Sequence, residues 1–344
     1  MTRRIASPTL TRLCVLVCVI AFASGCGNED PGVRFTGVTM ATQYVVTIAQ
    51  PGGLSAREVK PRVDALLVDI NKSMSTYDPA SELSRLNANP STDWIAVSAP
   101  LYHVLAAAQR IGTESAGAFD VTVGPLVNLW GFGPERRREF PDAAAIRAVL
   151  ARVGQAHFEL RATPPGLRKR RADVAIDLSG IAKGYAVDAV AELLESLGAT
   201  DYLVEIGGEV RARGRNVAGE AWRIGIESPV SERREIARTV ALTRSSLASS
   251  GTYRNYFEHD GVRYSHMIDP TTGYPVTGNL AGVTVLHDSA MVADAWATAL
   301  MTLGATRAPT VAANAGIAAL FFSVTADKVV SEANEAFKAA IGHE

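Results

Sequence analysis

One segment of the sequence combines an acid, a turn and a lysine at the start of a predicted helix. Asp177 lies near the end of an apolar run, Val174 to Leu178, that is predicted to be a strand. Ser179 and Gly180 follow as a turn, and Lys183 lies one turn into the next helix. Free amides at a helix N-terminus, helped by a lysine, favour a phosphate oxygen. A helix capped by Ser179, with Lys183 in solvent, is the alternative interpretation of the same residues.

Two further pairs of side chains could act with this lysine. His266 and Asp269 lie beside a Pro270-Thr-Thr-Gly turn, where a neutral imidazole could take a proton from a hydroxyl nucleophile and the acid could orient it. Asp294 and Thr298 are four residues apart in a predicted helix and therefore share one face. A carboxylate and a hydroxyl are oxygen ligands of the type that Mg²⁺ accepts. Each pair also has a structural explanation, as a turn histidine and as an acid near a helix start.

The elements that must position these groups form a mixed pattern. Residues Phe35 to Ala49 alternate as a strand. Helical spacing is found over Leu54 to Met74, from about Pro100 to Ser115, and over Pro141 to Val153. Short strands joined by glycines follow between Tyr202 and Glu227, as in hairpins. Because the helices and strands do not alternate regularly as βαβ units, the predicted fold class is α+β.

A stretch rich in glycine and aromatic residues separates the second and third of these helices. It runs from Gly117 to Gly133 and contains Phe119, Trp130 and Phe132. Its composition predicts an irregular loop wall whose rings could stack on a flat ligand.

The N-terminal residues are predicted to lie outside the fold. An apolar run from Leu13 to Ala23 follows three arginines and is too short for a permanent membrane span. It ends in Ala-Ser-Gly-Cys26, which is typical of a bacterial lipobox, although Ala23 stands where leucine is usual. We therefore predict a signal peptide over residues 1–25, lipidation of Cys26, a tether over 26–34 and one domain over 35–340. A signal peptide cleaved without lipidation is the alternative.

Composition narrows the function classes. All three cysteines lie at or before Cys26, so the predicted domain has no thiol for a disulfide or a thiolate metal site. Hydrophobic residues make up 47% of the 344 residues, which is enough for a large core. The formal net charge of −1 argues against nucleic acid as the main partner.

Taken together, the ordered segments resemble the ApbE family, the FAD:protein FMN transferases, from Thr39 to Gly304. The segments that carry the resemblance are Asp-Val-Thr-Val-Gly-Pro-Leu-Val-Asn-x-Trp-Gly-Phe-Gly from Asp120, Asp-Leu-Ser-x-Ile-Ala-Lys-Gly-Tyr-Ala-Val-Asp from Asp177, Val-Glu-Ile-Gly-Gly-Glu from Val204, Tyr-Arg-Asn-Tyr-Phe from Tyr253, Ser-His-x-Ile-Asp-Pro from Ser265 and Ala-Asp-Ala-x-Ala-Thr from Ala293. The resemblance implies a single α+β domain related to the T-fold. It also implies an envelope lipoprotein anchored to a membrane and facing the periplasm or the exterior, which agrees with Cys26.

The resemblance also implies a reaction and a set of roles. FMN would move from FAD to a threonine hydroxyl of an acceptor flavoprotein subunit in a membrane redox complex, with release of AMP. FAD would be held by Met40, Tyr77, Ala118, Phe119, Asp120, Asp177, Lys183 and Ile268. Mg²⁺ would be bound by Asp294 and Thr298, with backbone oxygens of Gly180 and Ala297. His266 would be the general base, with Asp269 as its orienting acid.

Several positions depart from the family pattern. They are Ala41, Thr252, Met267, Gly278 and Ala290, where the family often has Gly, Asp, Thr, His and Cys. Thr252 and Met267 flank the proposed base, so the polarity around His266 is expected to differ from that in the family. The metal pair, the lysine and the histidine are all present.

Three other functions are compatible with the same residues. A hydrolase would cleave FAD to FMN and AMP with water as nucleophile; the bulky Tyr77 could shield the diphosphate and favours transfer instead. A non-catalytic FAD-binding lipoprotein would need neither base nor metal, which the joint presence of Lys183, His266, Asp294 and Thr298 argues against. An assembly scaffold for membrane redox complexes would bind the acceptor without depending on FAD.

Overall fold

The computed structural model describes residues 32–135, 140–229, 235–253, 255–325 and 328–342. Cys26, the predicted signal peptide and most of the predicted tether lie outside the described residues. The helices are α1 (Ala56–Met74), α2 (Glu82–Ala88), α3 (Ala99–Glu114), α4 (Gly124–Leu129), α5 (Ala143–Leu150), α6 (Ala182–Ser196), α7 (Ala290–Asn314) and α8 (Glu335–Ile341). Helix α7 is broken at Gly304, whose φ of 70° and ψ of 173° are not helical. None of the helices in this part of the chain combines the length and the apolarity that a membrane crossing requires.

Most of the strands belong to one antiparallel sheet. The strands are β1 (Val33–Thr39), β2 (Thr42–Ile48), β3 (Trp94–Ala96), β4 (Phe158–Arg161), β5 (Gly166–Lys169), β6 (Tyr202–Ile206), β7 (Glu209–Arg213), β8 (Trp222–Glu227), β9 (Ile236–Leu242), β10 (Arg244–Gly251), β11 (Tyr256–His259), β12 (Val262–Ser265), β13 (Leu280–His287), β14 (Ala318–Thr325) and β15 (Lys328–Ala333). Eight of them pair in the order β1-β2-β6-β7-β10-β13-β14-β15. Antiparallel strands interspersed with helices confirm the predicted α+β class.

The two faces of this sheet bury different cores. Tyr202, Val204 and Ile206 of β6 pack into the larger core with α1, α6 and α7, whereas Leu203 between them packs into a smaller core on the other face. Trp222 of β8 and Phe337 of α8 close that smaller core. The side chains of β6 alternate because successive residues of a strand point to opposite faces. The helices that carry Lys183 and Asp294 therefore lie on one face, and the β8–β9 hairpin covers the other.

The predicted strand over residues 35–49 is a hairpin. Strands β1 and β2 pair in continuous register from Val33 opposite Ile48 to Thr39 opposite Thr42. Met40 and Ala41 between them have φ values of 48° and 58°. Two consecutive residues with positive φ make the tight hairpin turn that matches strand twist, usually with glycine or asparagine. The sequence did not indicate this turn because neither residue is typical of it.

The predicted strand over residues 174–178 is wrong, although the segment is buried as expected. It joins no ladder. The amide of Ile176 donates to Asn87 Oδ1 and the Ile176 carbonyl accepts from Asn87 Nδ2, both at 2.8 Å, while the Asp177 amide donates to the Val121 carbonyl at 2.7 Å. One asparagine side chain and a distant carbonyl thus satisfy a buried backbone that would otherwise require a neighbouring strand.

Helices α6 and α7 approach closely where each begins. A Cβ on Gly184 would lie 2.2 Å from the carbonyl oxygen of Ala290 and 2.7 Å from the Cα of Met291, so only glycine fits. One turn later, Asp188 accepts hydrogen bonds from Arg211 of β7 at 2.7 Å and from the first turn of α7. Its partners there are the Ala290 amide at 2.9 Å, the Met291 amide at 3.0 Å and Ser289 Oγ at 2.6 Å. Two helices and one strand are thereby fixed together.

We expect Gly184→Ala to lower the free energy of unfolding by about 2–3 kcal/mol, because the added methyl group meets rigid backbone and not a movable side chain. Urea unfolding of the variant and of wild type measures this change. Helix propensity alone predicts a gain of about 1 kcal/mol for the same substitution, so a stabilised variant would contradict the close approach. Glu192→Ala, on the exposed face of α6, is the matched control and should change the stability by less than about 0.5 kcal/mol.

Candidate functional site

A cavity of about 640 Å³ opens where the interior strand β7 of the main sheet begins and the neighbouring strand β10 ends. It is lined by eleven of the residues predicted from the sequence: Tyr77, Ala118, Phe119, Asp120, Asp177, Gly180, Lys183, His266, Ile268, Asp294 and Thr298. Met40, Asp269 and Ala297 are not among the lining residues. The fold thus gathers most of the proposed groups, from segments up to about two hundred residues apart, around one space.

Lys183 is paired inside this cavity and does not lie in solvent. Its Nζ is 2.5 Å from Oε1 of Glu209, a residue that is 2% exposed. Burial by itself lowers the pKa of Lys183, but the charges of Asp294 and Glu209 outweigh it and raise the pKa above its ordinary value. The ammonium therefore stays charged and is available to an anionic ligand.

Ser179 does not cap the lysine helix. Helix α6 begins at Ala182 and no side chain caps it at Ile181, while the Ser179 amide donates to Asp177 Oδ1 at 2.7 Å. The Ala182 amide donates to the Leu178 carbonyl at 2.8 Å, and the Gly184 amide to Asp294 Oδ2 at 3.0 Å. Because these two amides are already bonded, recognition of a phosphate group here depends on Lys183 more than on the helix N-terminus.

Asp294, Thr298 and Gly180 form a set of oxygen groups that fits a hard cation. Asp294 is 3% exposed, and a Cβ on Gly180 would lie 3.0 Å from Thr298 Oγ1, so the loop and the helix meet at this hydroxyl. Burial raises the pKa of Asp294, while the charge of Lys183 and the Gly184 amide act against this shift. Within the described residues, no cluster of three His, Cys, Asp or Glu side chains could hold a metal. Mg²⁺ needs no such cluster, since it commonly binds one or two carboxylates and keeps waters or phosphate oxygens as its other ligands.

Two predicted ligands, Ala297 and Met40, are not among the residues that line the cavity. Ala297 is fully buried within α7, where a carbonyl normally accepts from the amide four residues later. Met40 lies in the β1–β2 turn and packs partly against the core. That turn adjoins the cavity through its neighbour, because the Gly207 amide donates to the Gln43 carbonyl at 3.1 Å and Gly207 lines the cavity.

His266 is oriented by the backbone at Asn255. Its Nδ1 lies 3.0 Å from the Asn255 carbonyl oxygen, which also accepts the His266 amide at 3.0 Å. A carbonyl can only accept, so this contact assigns the imidazole proton to Nδ1 and leaves Nε2 as the acceptor. Burial lowers the pKa of His266, and the charge of Lys183 lowers it further against the effect of the Asn255 bond. The imidazole is therefore neutral near pH 7, as a general base must be.

Asp269 has other partners than the imidazole. Its Oδ1 accepts from the Thr271 amide at 2.8 Å and from Thr271 Oγ1 at 2.6 Å, and its backbone pairs with Tyr274 and Gly273. An aspartate that satisfies the amide two residues ahead stabilises a turn. The backbone carbonyl of Asn255, and not Asp269, therefore orients the imidazole of His266. Asp269 stabilises the turn that follows the histidine.

Two of the three rings predicted to form a loop wall, those of Trp130 and Phe132, pack on aromatic rings of the β11–β12 hairpin. Residues 124–129 are helical as α4, and Trp130 is buried, with its Nε1 donating to the Gly273 carbonyl at 2.8 Å. The Trp130 ring stacks on Tyr264 at 5.6 Å and on Phe257 at 6.4 Å between centroids. Phe119 and Phe132 of this group line the cavity, and the ring centroid of Phe132 is 6.3 Å from that of His266. The aromatic cluster therefore holds the β11–β12 hairpin that carries the histidine.

Among the residues assigned to FAD, Tyr77 is exposed and Asp120 is partly buried. Tyr77 is 63% exposed and its hydroxyl donates to the Phe132 carbonyl at 3.3 Å. Asp120 accepts from the Thr122 amide and Thr122 Oγ1 at 2.8 and 2.6 Å, and burial raises the pKa of Asp120. Phe119 beside it is buried.

Sequence reasoning missed two residues of the site. Glu209 is the last residue of the Val-Glu-Ile-Gly-Gly-Glu motif, but its pairing with Lys183 depends on the register of β7. That register places the Glu209 side chain on the same face of the sheet as Arg211. Asn255 acts through its carbonyl, which every residue has, so no sequence signal marks it.

Three kinds of comparison with known proteins point to the same protein family. The ApbE family model matches residues 40–321. A protein of Vibrio cholerae named FAD:protein FMN transferase is 42% identical over 94% of this chain and 97% of its own length. One of Haemophilus influenzae with the same name is 41% identical over 94% and 96%. The structure of flavin transferase ApbE from Vibrio cholerae superposes with a TM-score of 0.83 at 42% identity, over 90% of this chain and 98% of that one. The apo form of Pseudomonas stutzeri flavinyl transferase ApbE gives a TM-score of 0.84 at 39% identity, over 91% and 98%.

We expect the imidazole of His266 to titrate below its ordinary pKa of 6.5. Its ring-proton NMR signal, assigned by its loss in His266→Gln, measures this value. Because the folded pKa is lowered, the unfolded chain binds the proton more readily, and the folding stability that neutral His266 contributes above pH 6.5 is lost as the pH falls. A pKa above 6.5 would contradict the partly buried, neutral imidazole.

Proposed function

The chain belongs to the ApbE family of flavin transferases, and we propose that it moves FMN from FAD to the hydroxyl of a threonine in an acceptor flavoprotein, using Mg²⁺ and releasing AMP. One observation carries this proposal: Lys183, His266, Asp294 and Thr298 line a single cavity. A base, a permanent cation and an oxygen site for a metal are the groups that phosphoryl transfer to a hydroxyl requires.

The proposed chemistry divides among these residues. Nε2 of His266 takes the proton of the threonine hydroxyl as its oxygen attacks the phosphorus of the FMN half. The bond from that phosphorus to the bridging oxygen breaks, and its electron pair leaves with AMP. Lys183 binds the diphosphate and neutralises the charge that develops on it.

The residues that would hold Mg²⁺ are Asp294 and Thr298, next to the backbone of Gly180. A cation bound there supplies positive charge to the diphosphate. Asp294 also accepts the Gly184 amide, so the same carboxylate fixes the start of the lysine helix.

The N-terminal pattern supports a proposal on location. A lipid on Cys26 would anchor the protein in the bacterial cell envelope, facing the periplasm or the exterior. Flavoprotein subunits of membrane redox complexes would then be the acceptors within reach.

Intact-mass analysis tests the reaction. A threonine-bearing acceptor domain incubated with the protein, FAD and Mg²⁺ should gain the mass of FMN, and the gain should disappear with EDTA. His266→Ala should slow transfer by about 10²–10⁴-fold, because a positioned base contributes that much. The variant should still bind FAD; loss of binding would make His266 a ligand contact and not the base. AMP release without a mass gain would favour a hydrolase, and neither product would favour a binding protein.

Asp294→Asn tests the metal assignment while keeping an acceptor for the Gly184 amide. We expect the rate of transfer to fall by at least about 100-fold, as when one stabilising group is removed from a reacting centre, and added Mg²⁺ should not restore it. The rate is measured over a range of Mg²⁺ concentrations. Asp288→Asn, which neutralises an exposed acid just before α7, is the matched control and should leave the dependence on Mg²⁺ unchanged. Unchanged turnover in Asp294→Asn would rule out Asp294 as the metal residue.

A further inference from the structure

Three charged side chains share the buried end of the cavity. Glu209 and Asp294 are 2% and 3% exposed, while the side chain of Lys183 is 31% exposed and its ammonium pairs with Glu209. When both acids are ionised, two carboxylates and one ammonium leave a net charge of −1 in a region where unpaired charge is costly, and burial accordingly raises the pKa of Glu209 to about 7. The charges of Asp294 and Glu209 both raise the pKa of Lys183, and Asp294 has the larger effect. The three groups therefore interact strongly.

The ammonium is bound to Glu209 and not to Asp294. Among the described residues, Glu209 is the carboxylate within ion-pair distance of Lys183, at 2.5 Å. Asp294 directs Oδ2 to the Gly184 amide instead. The carboxylate assigned to the cation is therefore not occupied by the nearby lysine.

The surroundings of Glu209 differ from those of a carboxylate that only stabilises a fold. Its Oε1 accepts the lysine, whereas its buried Oε2 has no hydrogen-bond partner among the described residues. By contrast, the two carboxylate oxygens of Asp188 on α6 accept hydrogen bonds from four donors. A buried oxygen without a partner is unusual in a native protein and requires an explanation beyond stability.

Charge competition supplies that explanation. If Glu209 were absent, the nearest negative charge to the Lys183 ammonium would be Asp294, and the resulting pair would neutralise the carboxylate that a divalent cation needs. We infer that Glu209 holds the ammonium of Lys183 so that Asp294 remains available to the cation, which makes Glu209 a positioning residue of the metal site. This inference rests on the proposed use of Mg²⁺.

The arrangement also keeps two positive groups apart. Lys183 and a cation at Asp294 both face the diphosphate of the proposed substrate, and they would repel one another in the buried site. Glu209 draws the ammonium to the β7 side, while Asp294 and Thr298 lie on α7. The two charges can then act on one ligand from two sides.

Mn²⁺ binding to the full-length protein in detergent, without FAD, tests this inference independently of turnover. Free Mn²⁺ is measured by EPR for wild type, Glu209→Gln and the double variant Glu209→Gln/Lys183→Met. We expect Glu209→Gln to raise the dissociation constant at least about tenfold, because Lys183 then pairs with Asp294. The double variant removes a neutral pair and should bind within about threefold of wild type. Far-UV circular dichroism and the thermal midpoint confirm that each variant folds.

Glu205→Gln is the matched control. Glu205 carries the same charge and also lines the cavity, but its Oε1 accepts the Gly208 amide at 2.8 Å and not a lysine. It should change the dissociation constant less than about threefold. An unchanged constant in Glu209→Gln would overturn the inference, and so would a double variant as weak as Glu209→Gln, since Glu209 would then act on the cation itself. Absence of Mn²⁺ binding in wild type would instead overturn the metal dependence of the proposed function.

Discussion

The carboxylate of Asp188 connects the three elements on which the charged end of the site depends. It joins α6 to the first turn of α7 and to Arg211 of β7. Lys183 lies on α6, Asp294 and Thr298 on α7, and Glu209 on β7. Distances between these side chains are therefore set by one buried junction and not by the side chains themselves. Gly184 is part of the same constraint, because any Cβ there would separate the helices.

The buried carboxylates differ in how fully they are satisfied, and this difference separates structure from function. Asp188 has four donors and needs no ligand. Glu209 has one free oxygen, and Asp294 accepts one hydrogen bond, from Gly184, among the described residues. Leaving a buried carboxylate short of partners costs free energy that a purely structural site would not retain. Burial accordingly raises the pKa of both Glu209 and Asp294. The proposed cation would offset the free-energy cost of burying these two charges.

Sequence patterns predicted the parts of the site that depend on local spacing. Asp294 and Thr298 share a helix face because they are four residues apart, and Lys183 follows a turn that the residues at 179 and 180 mark clearly. The failures lie where a distant partner decides the structure. Residues 174–178 are buried without a ladder because Asn87 satisfies their backbone. The partner of Glu209 depends on strand register, and the orientation of His266 depends on a carbonyl. Neither the strand register nor a backbone carbonyl can be recognised from the residue types.

His266, the proposed base, is supported separately from the charged groups. His266 follows a hairpin held by stacked rings around Trp130, and the turn after it is closed by Asp269. Lys183, Glu209 and Asp294 depend instead on the Asp188 junction. His266 and Asp294 line the same cavity from these two supports, so their separation is set by how the supports pack together. In the proposed reaction, removal of the proton and neutralisation of the diphosphate would therefore depend on different parts of the fold, and substitutions could perturb them one at a time.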